Sequence, residues 1–334
     1  MKKLIFRLFY TIFVVGLTIA VLLSYKDLKR IAYKKQLLPS LNWAKKVCFE
    51  EIKEQKPFVV AIPSYRNEEY CEKNLRSVFE QKYDNYRVIY VDDASPDNTY
   101  EKVKEIVTRF GQWDRFTLLK NEKNRGAMFN HVQMSQYYRD DEIIVNLDGD
   151  DFFASDEILK NLNAYYANPD VWLTYGQYIT YPEYRVGLCK PMKFSQLKNG
   201  VIRDLPWVTS ALRTFYGGLF RRVNIEDFLY EGSFLPMACD LAYMFPLVEL
   251  ARQHVYFTPD IAYIYNRATG INDDKKSRSK QVFFEQYIRA APRYEPLIEH
   301  PASKSSIGVV KNTDVLIFGS NLSLIHISEP TRPY

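Results

Sequence analysis

The stretch from Glu142 to Phe153, with the sequence EIIVNLDGDDFF, constrains the fold of this chain more than any other. Its apolar run is rich in β-branched residues, which is typical of a strand buried on both faces. The run ends abruptly in three carboxylates, those of Asp148, Asp150 and Asp151. In an open parallel α/β sheet, ligands bind outside the carboxyl ends of the strands, so this position indicates a functional site. Clustered carboxylates repel one another unless a cation offsets their charge, and their hard oxygens suit Mg²⁺ or Mn²⁺; a solvated acidic turn is the alternative.

Strand and helix patterns alternate before this stretch. We predict buried strands at 57–63, 87–91, 116–120 and in EIIVNL, and helices at 68–81, 98–110 and 125–138. This alternation with short turns predicts right-handed βαβ units, and therefore an α/β fold with a mostly parallel central sheet and helices on both faces. Polar side chains follow three of the strands and should converge at one sheet edge: Ser64, Tyr65 and Asn67; Asp92, Asp93 and Ser95; Asp148 and Asp150.

Composition and missing motifs exclude several classes of protein. A chain of 334 residues that is 47% hydrophobic can bury one large core or two modest ones, so it is not disordered. The net charge of +5 is mild, and much of the basic excess lies in the first 35 residues and at 275–280, so we predict no nucleic-acid binding. The four cysteines are widely spaced, which argues against a zinc site. Neither GxGxxG nor a P-loop is present, so phosphate would be held by a metal and basic side chains.

The N-terminal region predicts a membrane anchor. Residues 8–25 are uncharged and almost wholly apolar. At about 1.5 Å per residue, a helix of this length nearly crosses a bilayer core of about 30 Å, so we predict one transmembrane helix. The predicted anchor is 1–25 and a polar, basic stem follows at 26–56; a cleaved signal peptide is the alternative. Basic residues are slightly more numerous after the apolar run, which favours a single-pass protein with a cytoplasmic domain, and a type II orientation in the secretory lumen is the alternative.

Four motifs follow one another in the first half of the chain: VVAIPSYRNEE, VDDASPDNT, NRGAMFNH and NLDGDD. In order and spacing they resemble those of the family 2 glycosyltransferases, which have the GT-A fold and use nucleotide-diphosphate sugars. The resemblance covers 57 to about 153, which would be the nucleotide-binding half of a GT-A domain at 57–300, with an acceptor half at 154–300.

The resemblance implies a role for each motif. Asp93 would accept a hydrogen bond from the imide of the nucleotide base, and Asp92 would support that loop. Asp148 would lie near the ribose and the metal, and Asp150 would be the main ligand of Mn²⁺ or Mg²⁺. The other nucleotide-binding candidates are Pro63, Ser64, Tyr65 and Asn67, which would border the base, and Arg125 and Gly126, which would lie beside the nucleotide.

Several of these candidates also have a purely structural interpretation. Asp93 could cap the following helix, which is a common role for aspartate. Tyr65 could be a core ring, and Arg125–Gly126 could mark only the start of a helix. His131 lies among apolar neighbours, so we predict a structural histidine there, and we prefer the same role for His254 over that of a metal ligand.

Asp240 is the candidate catalytic base. The apolar spacing from Leu241 to Leu250 predicts a packed helix with Asp240 at its N-terminal end. Inverting transfer needs a carboxylate to take the proton of the acceptor hydroxyl, and family members commonly place an acidic residue, often a Glu-Asp pair, at such a helix start. Here Cys239 precedes Asp240, so only the Asp matches, and an ordinary N-cap aspartate is the alternative. Weaker candidates for contacts with the acceptor or the diphosphate are Asp151, Trp207, Arg213 and Arg267.

The remainder of the chain has a less specific pattern. We predict a helix at 155–166, a strand at 171–179, a surface loop in YRVGLCKPMKFSQLKNG and a closing helix at 281–298 with one apolar face. Beyond Pro301 the composition changes, so we interpret 301–334 as an incomplete or non-native tail.

With the apolar N-terminal run, the resemblance implies a membrane-anchored enzyme that transfers one sugar from a UDP-linked donor to a hydroxyl of a glycan, lipid or protein; inversion is implied by the resemblance alone. No QxxRW, the signature of processive synthases in the same family, is present, which favours one transfer per encounter. Two alternatives stay open. One is a sugar nucleotidyltransferase, although its glycine-rich basic signature is missing after the first strand; the other is a catalytically inactive, anchored module that binds carbohydrate or a protein partner.

Overall fold

The computed structural model describes residues 54–269 and 278–303. All of these residues belong to one compact unit. Within the described ranges, no helix is both long enough and apolar enough to span a bilayer. The predicted anchor, nearly all of the stem and the tail beyond residue 303 lie outside the described residues, so those assignments stay predictions.

The first half contains the alternating strands and helices that the sequence predicts. They are β1 (Phe58–Ser64), α1 (Cys71–Phe79), β2 (Tyr86–Asp92), α2 (Thr99–Arg109), β3 (Phe116–Lys120), α3 (Ala127–Ser135) and β4 (Ile143–Asn146). The helices are shorter than predicted because the predicted ranges include the flanking turns. Strands β1 and β4 are buried along almost their whole length, so both faces of the sheet are covered here.

The second half adds shorter strands and a long central helix. Its elements are β5 (Phe152–Phe153), α4 (Ile158–Tyr166), β6 (Leu173–Tyr181), α5 (Phe194–Lys198), β7 (Arg213–Tyr216), α6 (Gly217–Phe220), β8 (Leu229–Tyr230), β9 (Ser233–Phe234), α7 (Cys239–Ala251), β10 (Val255–Asn266) and α8 (Arg278–Ala290). The predicted helix at 155–166 and strand at 171–179 are therefore present with small shifts.

Eight strands form one sheet in the order β3-β2-β1-β4-β7-β6-β10-β5. Six of them run in the same direction, while β7 is antiparallel to both of its neighbours and β5 is antiparallel to β10. The predicted mixed α/β architecture with a mostly parallel sheet is confirmed. The antiparallel insertion of β7 was not predicted, because its four residues are too few to show a period.

Helix α7 is a central helix of the second half. Its residues from Leu241 to Ala251 are all buried, so it has no polar face. Arg203 fixes it to α8, since its guanidinium contacts Glu249 at 2.7 Å and donates to the carbonyl of Ile288 at 2.5 Å. Arg203 and Glu249 are both almost completely buried, which makes this ion pair part of the core.

Helix α8 ends earlier than predicted. It stops at Ala290, and Pro292 follows, which disfavours helical backbone in the residue before it. Phe284 and Ile288 are buried, whereas Phe283 and Tyr287 stay exposed. The predicted apolar face is therefore only half covered.

Residues 182–194, most of which lie within the predicted surface loop at 184–200, form an ordered extension that we call the arm. After β6 the chain turns back, and Val186 pairs with Ile179 in an antiparallel bridge. The N–H of Gly187 donates to the carbonyl of Tyr178 at 2.8 Å. The arm therefore continues the sheet beside the end of β6, where β7 no longer pairs with it.

Candidate functional site

The polar ends of β1, β2 and β4 lie at one edge of the sheet. Ser64 is paired in register with Asp92, and Ala61 is paired with Asn146, two residues before Asp148. Because these strands are parallel, their carboxyl ends meet at this edge. The structure therefore brings together the polar groups that the sequence placed after these strands.

Residues 148–151, which follow β4 and which we call the acidic turn, are held close to β1 and α1. A Cβ atom on Gly149 would lie 2.6 Å from Nδ2 of Asn67 and 2.7 Å from Oγ of Ser64, so only glycine fits. Asn74 of α1, which is fully buried, donates through Nδ2 to the carbonyls of Asp148 at 2.9 Å and Asp151 at 2.7 Å. These contacts determine the path of the turn.

Asp148 and Asp150 are the accessible acids of the turn. The side chain of Asp148 is 41% exposed, and the hydroxyl of Tyr263 lies 3.2 Å from its Oδ2. Asp150 is partly exposed, and its Oδ2 accepts a hydrogen bond from the hydroxyl of Thr269 at 3.3 Å. Both carboxylates can therefore meet a ligand.

Asp151 is completely buried. Its two oxygens accept hydrogen bonds from the backbone N–H of Asn266 at 2.6 Å and from the hydroxyl of Tyr263 at 2.5 Å. Desolvation, with the nearby charges of Asp150 and Asp148, holds the pKa of Asp151 well above its ordinary value. A side chain with no exposed surface cannot contact the acceptor or the diphosphate in this conformation, so Asp151 instead holds β10 against the acidic turn.

Arg213, the first residue of β7, connects the acidic turn to α7. Its guanidinium is buried, with Nη2 3.8 Å from Oδ2 of Asp148 and Nη1 3.5 Å from Oδ2 of Asp240. Asp240 lies in the first turn of α7 after the N-cap residue Ala238, so the N-cap alternative is wrong. Its side chain is 32% exposed. Desolvation raises the pKa of Asp240 above its ordinary value, and Arg213 opposes part of that shift.

Asp93 organises the loop that precedes α3. Its Oδ1 accepts hydrogen bonds from Nδ2 of Asn121 at 2.7 Å and from the N–H of Arg125 at 2.8 Å, and its Oδ2 accepts one from the N–H of Gly126 at 2.9 Å. Asp93 does not cap α2, whose N-cap is Asn98. Gly126 has a φ of 85°, a conformation that favours glycine. Arg125 and Gly126 therefore belong to a defined loop, and only 2% of Asp93 is exposed.

A concave site of about 420 Å³ opens beside this loop. It lies at the carboxyl ends of β2 and β3, and its volume is within the range of ligand pockets. The hydroxyl of Ser95 accepts a hydrogen bond from the N–H of Arg66 at 2.9 Å, which ties the loop after β1 to the same rim. The lining residues are Ala94, Ser95, Lys120, Asn121 and Glu122.

The residues at the end of β1 differ in exposure. Ser64 and Asn67 are buried, and Oγ of Ser64 accepts hydrogen bonds from the hydroxyl of Tyr90 at 2.7 Å and from Nδ2 of Asn67 at 2.9 Å. Pro63 and Tyr65 are partly exposed. Ser64 and Asn67 thus fix the loop, while Pro63 and Tyr65 can face a ligand.

Asp92 supports the loop after β2. It is fully buried, and its Oδ2 accepts a hydrogen bond from the N–H of Ser95 at 3.3 Å. Burial raises its pKa above the ordinary value. Among the described residues, its Oδ1 has no hydrogen-bond partner.

Trp207 and Arg267, two of the weaker candidates, lie outside the acidic turn in the sequence. Trp207 packs edge-on against Phe245 of α7, with 5.7 Å between the ring centroids. The N–H of Arg267, just after β10, donates to the carbonyl of Tyr181 at 2.7 Å. Both residues are partly exposed, so they can still contact a ligand.

Both histidines singled out in the sequence have structural partners. His131 is buried, its ring centroid lies 5.1 Å from that of Tyr243, and desolvation lowers its pKa to about 4. His254 stacks on Trp172 with 3.8 Å between the ring centroids. These contacts agree with the predicted structural roles.

Two residues that contact the acidic turn, Asn74 and Tyr263, were not predicted from the sequence. Each is distant in sequence from the residues of the turn that it contacts. Asn74 donates to main-chain carbonyls of the acidic turn, and the hydroxyl of Tyr263 contacts carboxylates of that turn. Asn74 left a signal, because it is a polar residue on the face of α1 that also carries the buried Cys71, Leu75 and Val78. Tyr263 left none that separates it from the other tyrosines of β10.

The carboxylates of the acidic turn suit a hard divalent ion that takes its remaining ligands from water and substrate phosphates. Among the described residues, no group of three or more His, Cys, Asp or Glu side chains could hold a metal. Mg²⁺ is usually bound through one or two carboxylates, with water and substrate phosphates completing its shell. Asp148 and Asp150 offer two accessible carboxylates of this kind.

Comparisons with known proteins show the family. Residues 59–225, which are 167 of the 334 residues and so half of the chain, match the family model described as Glycosyl transferase family 2. A Haemophilus influenzae protein described as an uncharacterized glycosyltransferase is 29% identical over 119 residues, which are 36% of this chain and 46% of that protein. The Escherichia coli UDP-Glc:alpha-D-GlcNAc-diphosphoundecaprenol beta-1,3-glucosyltransferase WfgD is also 29% identical over 119 residues, covering 36% of this chain and 44% of the enzyme.

A solved structure resembles this chain more weakly. The mannosyltransferase PcManGT from Pyrobaculum calidifontis, in complex with GDP-Man and Mn²⁺, is 18% identical with a TM-score of 0.49, covering 79% of this chain and 74% of that one. The matched segments span less than half the length of both curated relatives.

Proposed function

Because the chain belongs to Glycosyl transferase family 2, we propose that it transfers a single sugar from a nucleotide-diphosphate sugar to a hydroxyl acceptor. One observation carries the proposal. The buried guanidinium of Arg213 lies between Asp148, at the donor side of the sheet edge, and Asp240, at the start of α7. This arrangement supports the proposal, because the carboxylate proposed to bind the donor and the carboxylate proposed to accept the proton contact the same guanidinium.

The donor is proposed to be a UDP-sugar, as the name of the Escherichia coli relative states for that enzyme. The nucleotide would occupy the concave site beside the Asp93 loop, with Pro63 and Tyr65 at its border. Three N–H groups donate hydrogen bonds to the buried carboxylate of Asp93. We therefore propose that Asp93 shapes the base site indirectly, by fixing the positions of Arg125 and Gly126. Lys120, which lines the same site, supplies a positive charge near the donor.

Asp148 and Asp150 would hold Mg²⁺ or Mn²⁺ together with the donor. When bound, the ion offsets the negative charge of the diphosphate. Thr269 orients Asp150, and the hydroxyl of Tyr263 lies close to Asp148. These contacts keep the two carboxylates at the turn before any ligand arrives.

The reaction we propose is an inverting displacement. The acceptor oxygen attacks the anomeric carbon and forms the new C–O bond, and the bond from that carbon to the diphosphate oxygen breaks. The electron pair of the broken bond leaves with the diphosphate, and the hydroxyl proton passes to Asp240. The acceptor would be a hydroxyl of a glycan, lipid or protein, and the apolar run 8–25 would anchor the enzyme in the membrane.

Calorimetry tests the donor site. The full chain is titrated with a panel of nucleotide sugars, with Mn²⁺ and with chelator. Asp150→Ala is compared with Asp141→Ala, which changes an exposed acid outside the turn. We expect one nucleotide class to bind, with a requirement for both the metal and Asp150 but not for Asp141. If the folded protein binds none of them under any metal condition, the transferase proposal is wrong and the inactive binding module is favoured.

A further inference from the structure

The arm, residues 182–194, exposes large apolar side chains. The exposed fractions are 65% for Tyr184, 51% for Val186, 45% for Leu188 and 66% for Phe194. These are four of the nine large hydrophobic residues that the described part of the chain exposes, and they lie within eleven residues of sequence. An exposed apolar cluster of this kind marks an interaction surface.

The arm is held in this exposed position by specific contacts. The hydroxyl of Tyr175 donates to the carbonyl of Lys190 at 2.7 Å, and Nε2 of Gln177 donates to the carbonyl of Cys189 at 3.0 Å. The ring of Tyr178 covers Gly187 so closely that a Cβ atom there would lie 2.3 Å from it. With Cys189 buried, the inner side of the arm is packed and its outer apolar side chains are directed to solvent.

The arm rises from the same sheet edge as the candidate active site. Arg213 is paired with Tyr175 of β6, and Val186 is paired with Ile179, four residues further along that strand. At about 3.3 Å per residue, Val186 lies roughly 13 Å beyond the level of Arg213. A surface that contacts the arm would therefore lie just outside the opening of the site.

Basic residues accompany these apolar side chains. Arg185, Lys190 and Lys193 are exposed in the arm, and Lys198 is exposed at the end of α5; Glu183 is the one acid of the arm. Aromatic and aliphatic side chains interspersed with Lys and Arg are the combination that binds the interface of an anionic bilayer. We propose that the arm docks on an anionic phospholipid bilayer, so that the active site takes acceptors held at that surface. The claim about acceptors rests on the proposed function, whereas the claim that the arm docks on the bilayer does not.

Charge favours the bilayer over a second copy of the chain. Two arms facing each other would bring like charges together, which costs energy. The run 8–25 of the same chain is a less suitable occupant of this surface, because it carries no negative charge that could pair with the basic residues of the arm. A headgroup layer containing phosphatidylglycerol supplies both the negative charge and an apolar boundary.

The docking is tested by measuring how strongly brominated lipid quenches the fluorescence of a tryptophan introduced into the arm. The full chain is reconstituted in nanodiscs of phosphatidylcholine with phosphatidylglycerol, with and without brominated acyl chains. Phe194→Trp is compared with Ile298→Trp, each relative to the unsubstituted chain. Ile298 is the matched control, because it is 98% exposed and lies two residues before His300, which contacts Tyr216 at the opposite edge of the sheet.

We expect brominated lipid to quench most of the fluorescence that the tryptophan at position 194 adds to that of the unsubstituted chain. It should quench little of the fluorescence added by the tryptophan at position 298. Adding Arg185→Glu, Lys190→Glu and Lys193→Glu, or using pure phosphatidylcholine, should restore the emission at position 194. Equal quenching at the two positions, no quenching at position 194, or lipid-free emission at position 194 that changes with protein concentration would each overturn the proposal. Calorimetry of the charge-reversed chain separates the two claims, since nucleotide binding should stay unchanged when docking is lost.

Discussion

Asp240 and Asp151 show how far surroundings decide what an aspartate does. Desolvation raises the pKa of both carboxyl groups. Asp240 is 32% exposed and faces Arg213, so it can exchange a proton with a ligand. Asp151 has no exposed surface and its oxygens are engaged by Asn266 and Tyr263. The same residue type is therefore suited to the proposed proton transfer in one place and holds the architecture in the other.

Replacing the proposed base tests its role directly. Asp240→Asn keeps the shape of the side chain but cannot accept the acceptor proton. Since a positioned general base contributes about 10²–10⁴-fold, we expect the transfer rate to fall by about that factor with donor affinity unchanged. Initial rates and calorimetry provide the two measurements, and Glu231→Gln, in an exposed acid, serves as the control. An unchanged rate would remove Asp240 from the mechanism.

The pH dependence of the reaction tests the pairing with Arg213. Asp240 acts deprotonated, so activity is present above its raised pKa and is lost as the pH falls through that value. Arg213 lowers this pKa, so in Arg213→Met the acid limb of kcat/KM should move to higher pH. Arg213→Lys should restore part of the shift. Identical acid limbs in all three proteins would show that Arg213 does not influence the base.

At the scale of the elements, the acidic turn depends on its close approach to the end of β1. Gly149→Ala would place Cβ within 2.7 Å of Ser64 and Asn67. Overpacking of this kind costs about 1–3 kcal/mol, and the displaced turn would move Asp148 and Asp150. We expect a lower free energy of unfolding in urea together with loss of nucleotide binding.

Gly111→Ala is the control for that variant. Gly111 also has a positive φ, of 62°, but nothing lies within 4 Å of its Cβ position. Its substitution should lower stability through backbone strain, by about 1 kcal/mol, and leave nucleotide binding unchanged. Equal loss of binding in both variants would mean that general destabilisation, rather than the turn, explains the result.

At the scale of the whole molecule, the buried Arg203–Glu249 pair joins α7 to α8. Removing one partner leaves the other charge buried and unpaired, which costs about 3–5 kcal/mol. Arg203→Met should therefore lower the melting temperature clearly, without changing donor affinity at temperatures where the protein is folded.

The exposed pair of Arg293 and Asp204 provides the comparison, since its side chains are 42% and 59% exposed. Arg293→Met should change the free energy of unfolding by no more than about 1 kcal/mol, because water screens exposed pairs. Similar losses in the two variants would show that burial does not set the strength of these pairs.

The sequence by itself determined the order of strands and helices in the first half of the domain and the sheet edge at which the candidate site lies. Both follow from local patterns: apolar runs of strand length, helical spacing between them, and polar residues directly after the strands. In parallel βαβ units the chain order then places Asp92 and Asp148 at one edge.

Only the tertiary structure decided which of the polar residues face a ligand and which hold the site. Tyr263 meets Asp148 across 115 residues of sequence, and β7 brings Arg213 between Asp148 and Asp240. The ordered arm likewise depends on side chains of β6 that precede it. Such contacts join segments far apart in the chain, and burial depends on everything packed around a residue, so no local spacing encodes them.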